Sequence, residues 1–156
     1  MKKTIFAMLI LGLVFASSCN KSNNPGGSWT FKGTTYNTTT SAVSGADFGV
    51  NNLTTSNQST YGGLTVSFFN ALPTTAGTYT VANGSPASAT QVQVLTTTGG
   101  AAGNVYDATG GNGSNQTVSV SVSNGKLTVS GSGIEMYNVN NPSDSSALNF
   151  NVTQLQ

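Results

Sequence analysis

The stretch from Gln116 to Tyr137 constrains the fold of this chain more than any other. Valine and serine alternate from Val118 to Ser123, which is the period-2 pattern of a β-strand with one buried face. The pair Asn124-Gly125 follows, and both residue types tolerate the positive φ angles of a two-residue type I′ turn. Such a short loop fixes the register of a hairpin. The sequence therefore predicts three cross-strand pairs: Ser123 with Lys126, Val122 with Leu127, and Val120 with Val129.

The second strand of this hairpin changes its apolar parity. Leu127 and Val129 occupy odd positions, whereas Ile134 and Met136 occupy even ones. Gly131–Gly133 lies between them, so we expect a β-bulge there that restores the apolar face after one extra residue. The outer face of the hairpin carries hydroxyl groups and no catalytic group. We interpret the hairpin as scaffold and expect any function in the glycine-rich loop that precedes it.

A shorter hairpin is predicted over Ser28–Tyr36, with Lys32-Gly33 as its turn. This register places Trp29 opposite Tyr36, and an aromatic cross-strand pair stabilises a sheet. The alternative is that both rings stack on a sugar. Packing within the sheet is favoured, because a tryptophan buries a large apolar surface.

The rest of the chain alternates short strand patterns with turn-rich segments. Loops are expected over residues 38–46, 96–115 and 140–146, the second of which includes a short strand at Val105-Tyr106. No segment after residue 27 has a helical period. We therefore expect an all-β, antiparallel fold, either a β-sandwich or a small partly open β-barrel of eight or nine short strands. The further strands are predicted over residues 47–53, 64–70, 77–82, 89–95 and 148–153.

The N-terminal residues have the pattern of an export signal. Lys2 and Lys3 precede the apolar run Ile5–Phe15, which is too short to span a membrane as a helix. Three small residues then precede Cys19, the only cysteine in the chain. This arrangement resembles the lipobox of bacterial lipoproteins. We expect a signal peptide over 1–18, a lipidated cysteine and flexible linker over 19–27, and one β domain over 28–156. The alternative is a secreted protein cut nearby, with a free thiol.

The lipobox resemblance implies that Cys19 carries several acyl chains, palmitate among them, and so anchors the chain stably in a lipid bilayer. Asn20 stands where an aspartate is often tied to inner-membrane retention, so the resemblance favours the outer membrane of the cell envelope, with its leaflet left open. The domain itself resembles small all-β lipoproteins of Gram-negative bacteria, through the Trp29–Phe31 segment and the run SNGKLTVSGSGI from Ser123. That resemblance implies no known activity.

The composition excludes several classes of function. Only 6% of the residues are charged, against roughly 25% in typical soluble domains. There is no histidine and no arginine, and no basic patch, so we expect neither nucleic-acid binding nor the commonest acid–base catalysis. A glycosidase would need two of the dispersed carboxylates to converge, and calcium at Asp107 or Asp144 is less favoured than a turn role. We expect no enzymatic activity, no metal and no cofactor. The carboxylates are Asp47, Asp107, Glu135 and Asp144.

Three tyrosines, Tyr61, Tyr106 and Tyr137, stand in or beside loops rich in amides and hydroxyls. Aromatic faces and amides are what a carbohydrate site uses, although tyrosine is also an ordinary core and edge residue. Three hypotheses follow. The first is a non-enzymatic, membrane-anchored envelope module with a structural or binding role. The second is a carbohydrate-binding module that uses these tyrosines, and the third is a subunit that pairs with an envelope protein through an uncharged sheet edge.

Overall fold

The structure, a computed structural model, describes residues 26–53, 59–100, 103–108 and 115–155. Strands make up 65% of these residues and none of them is in an α-helix, which confirms the all-β class. The same residues contain no helix whose length and apolar character would let it cross a membrane. The predicted signal peptide, Cys19 and the linker up to Pro25 lie outside the described residues.

Within the described residues eleven strands belong to one sheet, so the predicted number of eight or nine is too low. The strands are β1 (Gly27–Phe31), β2 (Thr34–Asn37), β3 (Thr40–Ser44), β4 (Asp47–Asn51), β5 (Gly62–Phe68), β6 (Gly77–Val81), β7 (Gln91–Thr98), β8 (Asn104–Asp107), β9 (Thr117–Ser123), β10 (Lys126–Asn138) and β11 (Asn141–Thr153).

The order of hydrogen-bonded strands is β2-β1-β11-β10-β9-β6-β7-β5-β4-β3, and β8 pairs with both β7 and β10. Strands β6 to β10 therefore form a closed five-stranded barrel, with the six other strands outside it. Neither a sandwich nor a partly open barrel describes this arrangement, because β8 closes the ring. One contact also departs from the antiparallel prediction: β6 runs parallel to β7, with Thr80 opposite Gln91 and Val81 opposite Val92.

The β9–β10 hairpin has the predicted register at all three pairs. Asn124 and Gly125 have φ angles of 52° and 72°, as a type I′ turn requires. The register between β10 and β11 shifts between Gly131 and Ile134, which confirms the predicted bulge. Gly133 has a φ of 65° there, so the glycine supplies a backbone conformation that other residues rarely adopt.

The first hairpin is also confirmed, with Trp29 opposite Tyr36. Their rings are stacked with centroids 5.2 Å apart, and both side chains are buried. They belong to one hydrophobic core to which the barrel and the outer strands both contribute. The largest fully buried side chains include Trp29, Phe31, Phe48, Leu64, Tyr106, Ile134, Met136 and Leu148.

Three segments predicted as loops contain strands. Residues 40–44 form β3, which pairs only with β4 and has no buried residue, so it shows no apolar alternation. Within 96–115, β7 continues to Thr98 and β8 spans Asn104–Asp107. In 140–146, β11 already begins at Asn141. Pro142 fits in β11 because it lies in the register shift between the pairs Tyr137–Ser145 and Asn138–Asn141, where no ladder bond is needed.

The two outermost strands, β2 and β3, follow each other in the chain with only Thr38 and Thr39 between them. The Thr38 N–H donates to the Gly27 carbonyl over 2.9 Å, and the Thr39 N–H donates to the Asn51 carbonyl over 2.8 Å. One continuous segment therefore pairs first with β1 and then with β4. It joins the two ends of the strand order.

Candidate functional site

The three candidate tyrosines occupy different environments. Tyr61 is buried and donates a hydrogen bond of 2.8 Å to Asn51 Oδ1, and burial raises the pKa of its phenol. Tyr106 is 1% exposed. Tyr137 is half-buried and lies opposite Asp107, the neighbour of Tyr106, while Tyr61 precedes β5. The rings of Tyr61 and Tyr106 thus face the interior and do not join Tyr137 in one exposed aromatic surface.

Tyr106 instead belongs to a charged cluster that we define as Lys32, Tyr106, Asn138 and Asp144. The Lys32 ammonium donates to the Tyr106 hydroxyl over 2.9 Å and also forms an ion pair with the Asp144 carboxylate. The Tyr106 hydroxyl donates to Asp144 Oδ2 over 2.8 Å, and the Asn138 amide donates to the same oxygen over 3.3 Å. Because these residues come from the β1–β2 turn, β8, β10 and β11, the cluster ties four parts of the sheet together.

The protonation states of the charged cluster match a structural role. Hydrogen bonds from Lys32, and then from Tyr106 and Asn138, hold the pKa of the Asp144 carboxyl below its usual value. The hydrogen bond to Asp144, and then that to Tyr106, raises the pKa of the Lys32 ammonium. At neutral pH the lysine therefore keeps its proton and the carboxyl lacks one. That is the reverse of what a nucleophilic amine and a proton-donating acid need.

Two other carboxylates lie on neighbouring strands. Asp107 accepts a hydrogen bond of 3.0 Å from Gln93 Nε2 and lies opposite Tyr137. Glu135 lies two residues before Tyr137 on the same strand and is therefore diagonal to Asp107, and residues in such diagonal pairs lie about 7–8 Å apart. Within the described ranges, no group of three or more carboxylate, histidine or cysteine side chains could hold a metal ion.

A cavity of about 650 Å³ opens beside the bulge of β10, and we call it the polar groove. None of the described residues that line it is charged. Its volume lies within the 300–1,000 Å³ range of small-molecule sites. The lining residues are Asn115, Gln116, Thr117, Ser119, Ser130, Gly131, Ser132 and Phe150.

The bulge shapes the apolar side of the polar groove. A Cβ added at Gly131 would lie 2.6 Å from the Phe150 ring, so only glycine lets this ring approach the strand so closely. Asn149 Oδ1 accepts hydrogen bonds of 2.9 Å from the Ser132 hydroxyl and from the Gly133 N–H. These bonds hold the extra residue of the bulge in place, and with it one wall of the polar groove.

The opposite wall begins directly after the glycine-rich loop. Gln116 is fixed on both sides, because its side-chain Oε1 accepts from the Glu135 N–H over 3.1 Å and its carbonyl accepts from the Val81 N–H over 2.9 Å. Among the described residues, no side-chain hydrogen bond is made by the hydroxyls of Thr117, Ser119 and Ser130. Those hydroxyls are available to a bound molecule.

Sequence reasoning placed function in the glycine-rich loop and interpreted the hairpin as scaffold. The structure places a groove where the two meet. The sequence did carry a signal for this groove. Ser119, Ser130 and Ser132 are small hydroxyl residues without charge, and Gly131, between two of them, has no side chain to fill the space. Residues 109–114 of the loop lie outside the described part of the chain.

Comparisons of the chain with protein families, with curated proteins and with solved structures found no match. The geometry of the polar groove and the N-terminal sequence therefore carry the functional interpretation.

Proposed function

We propose that this chain is a non-enzymatic binding module of the bacterial cell envelope, anchored through Cys19, that holds a neutral carbohydrate in the polar groove. One observation carries the proposal: every described residue lining the groove is uncharged, and most carry a hydroxyl or an amide. Such groups donate and accept hydrogen bonds, as sugar hydroxyls do. A charged ligand would find no opposite charge in this lining.

The apolar part of the groove suits the same ligand. Sugars present C–H groups as well as hydroxyls, and an aromatic ring next to a bare glycine backbone gives those C–H groups an apolar surface. Gly131 and the edge of the Phe150 ring that borders the groove provide this surface, although the ring is only 5% exposed. Sites of this kind combine apolar contacts with a few fixed polar groups, and Gln116 and Ser132 are fixed by their bonds to Glu135 and Asn149.

Binding is tested with the full-length chain, purified in a detergent that has no sugar headgroup, against a panel of neutral oligosaccharides by calorimetry. Ser130→Val removes a hydroxyl of the groove and should weaken binding about tenfold, since an unpaired polar group on the ligand costs about 1–3 kcal/mol. Ser121→Val is the matched control. The Ser121 side chain faces outward from β9, as that of Ser119 does, but it does not line the groove. Equal losses in the two variants, or no binding to any neutral glycan, would overturn the proposal.

The membrane anchor is supported by the N-terminal sequence: a basic start, a short apolar run, and a lone cysteine after three small residues. Several acyl chains on Cys19 would hold the domain at a bilayer. Cys19→Ala should release the protein from the membrane fraction into the soluble one. Retention of the variant in washed membranes would contradict lipidation.

The absence of catalysis is supported by the residue inventory, since the chain has neither histidine nor arginine. The carboxylates nearest to each other by register are Asp107 and Glu135. Purified protein is therefore expected to leave neutral oligosaccharides intact during prolonged incubation. Hydrolysis that Asp107→Asn or Glu135→Gln abolishes would show that the module is an enzyme.

A second candidate is a subunit that pairs with an envelope protein through a sheet edge. Strands β2 and β3 stand at the ends of the strand order, and neither contains a charged residue or a proline, the devices that commonly block edge pairing. Val43 of β3 is 40% exposed. Val43→Lys should prevent a partner protein from co-purifying, whereas Val139→Lys, at an exposed turn, should not. A strictly monomeric protein without such a partner would remove this candidate.

A further inference from the structure

The pairing register aligns one outward-facing residue from each of six neighbouring strands. Asn37 on β2 lies opposite Ser28 on β1, and Ser28 lies opposite Asn151 on β11. The alignment continues through β10 and β9 to β6. We call these residues the polar row: Asn37, Ser28, Asn151, Ser130, Ser119 and Thr78.

Every member of the polar row is at least partly exposed, and every one carries a hydroxyl or a side-chain amide. Two of them, Ser130 and Ser119, also line the polar groove. The groove is therefore one section of a longer polar surface rather than an isolated pocket. Because adjacent strands lie about 4.8 Å apart, six strands make the row about 24 Å long.

On β1, β2, β10 and β11, residues that flank the polar row differ from it in their hydrogen bonding. On one side Thr30 bonds to Thr35 over 3.0 Å, and Ser132 bonds to Asn149 over 2.9 Å. On the other side Thr128 bonds to a hydroxyl of β11 over 2.9 Å. These flanking side chains satisfy one another.

The polar row has no such internal bonds. In the described part of the chain, none of its six side chains makes a side-chain hydrogen bond. Along β10 and β11 the row thus presents unused donors and acceptors between paired flanking side chains, whereas on β9 the flanking hydroxyls of Thr117 and Ser121 make no side-chain hydrogen bond in the described part of the chain either. General polarity of an exposed sheet face does not require that difference.

We infer that the ligand is a linear, neutral oligosaccharide or polysaccharide that lies across the strands along the polar row, with the polar groove holding one segment of it. This inference rests on the proposed function and specifies its ligand class. A chain of sugars offers hydroxyls at regular intervals, so successive strands can each bond a different ring. The flanking residues along β10, Thr128 and Ser132, are uncharged as well, which matches a ligand without formal charge.

The test measures affinity against ligand length by calorimetry, with full-length protein in a detergent lacking a sugar headgroup. The probes are linear oligomers of glucose and of N-acetylglucosamine with two to six rings. We expect affinity to rise at least about tenfold from the shortest to the longest bound oligomer, since each added ring can form a further hydrogen bond with the row. Affinity that is the same at all lengths would overturn the inference.

Substitutions distinguish binding along the polar row from binding in the polar groove alone. Replacing Asn37 and Ser28 with alanine, at the end of the row away from the groove, should weaken the six-ring ligand several-fold and leave the two-ring ligand unchanged. Thr30→Val is the matched control on β1, because its hydroxyl is already bonded to Thr35. An equal effect of the control would contradict the inference.

The two proposals fail differently. If short and long oligomers bind equally and only Ser130→Val weakens them, the groove is the whole site and the extended row is wrong. If no neutral oligomer binds, the proposed function itself fails. Equal binding of an acidic oligomer such as oligogalacturonate would show that the ligand need not be neutral, which would also overturn the inference.

Discussion

The charged cluster and the polar row use polar side chains in opposite ways. In the cluster, Lys32, Tyr106 and Asp144 bond one another, and the phenol ring is buried. In the row, six polar groups lie side by side in the sheet without bonding one another. Polar groups that satisfy each other contribute to the fold, whereas polar groups left unsatisfied at a surface cost little in water and remain available to a ligand. Stability and binding should therefore respond to different substitutions.

Tyr106→Ala should have the largest effect on stability. The side chain is 1% exposed and packs edge-on against Phe31, with ring centroids 4.7 Å apart, so its loss should cost about 3–5 kcal/mol of unfolding free energy. Urea denaturation measures the cost. Tyr106→Phe keeps the ring and removes only the hydroxyl, so it should cost about 1 kcal/mol. If the two variants lower the free energy of unfolding equally, the hydrogen bonds of the Tyr106 hydroxyl, and not the packing of its ring, account for the loss.

Gly131→Ala should have the next largest effect, and it is the one change expected to affect both stability and binding. The new methyl group would meet the Phe150 ring at 2.6 Å, and such overpacking costs about 1–3 kcal/mol. Gly49→Ala is the control in another strand, because its Cβ would meet Thr65 at an ordinary 3.7 Å. Equal stability of the two variants would show that Phe150 moves aside freely.

The charged cluster should give a smaller effect that depends on pH. The pKa of Asp144 is lowered in the folded protein, so its stabilisation is present above the unfolded value near 3.9 and is lost as pH falls through the lowered pKa. The pKa of Lys32 is raised, so its stabilisation is present below about 10.4 and is lost as pH rises through the raised pKa. The gap in urea midpoint between wild type and Asp144→Asn should be widest between these limits.

A double variant sharpens this prediction. Because Lys32 and Asp144 act through each other, Lys32→Met combined with Asp144→Asn should lie close to either single variant at every pH. Simple additivity of the two losses would mean that the ion pair contributes nothing.

The smallest effect on stability should come from the polar row. Ser130→Ala removes a partly exposed hydroxyl with no side-chain partner, and it should change the free energy of unfolding by no more than about 0.5 kcal/mol. The same substitution is expected to weaken ligand binding. A loss of stability comparable to that of the cluster variants would erase the difference between the two regions.

The sequence predicted what is local. The registers of both hairpins follow from two-residue turns at Lys32-Gly33 and Asn124-Gly125, because the residues that set each register are neighbours in the chain. The bulge at Gly131–Gly133 followed from a change of parity within one strand.

What the sequence did not reveal depends on distant partners. β3 has no buried face to produce a pattern, and it is a strand only because β4 pairs with it. β8 is four residues long and is defined by two partners, β7 and β10. The barrel exists only because β8 bridges them, so its closure could not be read from any single segment.

The candidate site was missed for the same reason. Ser28, Asn151 and Ser130 are far apart in sequence and meet only when β1 pairs with β11 and β11 pairs with β10. Tyr61 and Tyr106 had the residue type of a sugar site, but their loops proved to be parts of the packed structure. Exposure is set by the assembled sheet, and a loop-like composition does not report it.

The pairing of β1 with β11 has a consequence for how the protein is made. Synthesis starts at the N-terminus, so β1 and its aromatic residues, Trp29 and Phe31, exist long before their partner strand. Gly27 pairs with Val152, and contacts so distant in the chain form slowly. Until β11 has been synthesised, one edge of β1 is unpaired and its two aromatic side chains are not fully packed. Such a state is prone to aggregation. The sheet around β1 is therefore completed only after the last strand has been synthesised.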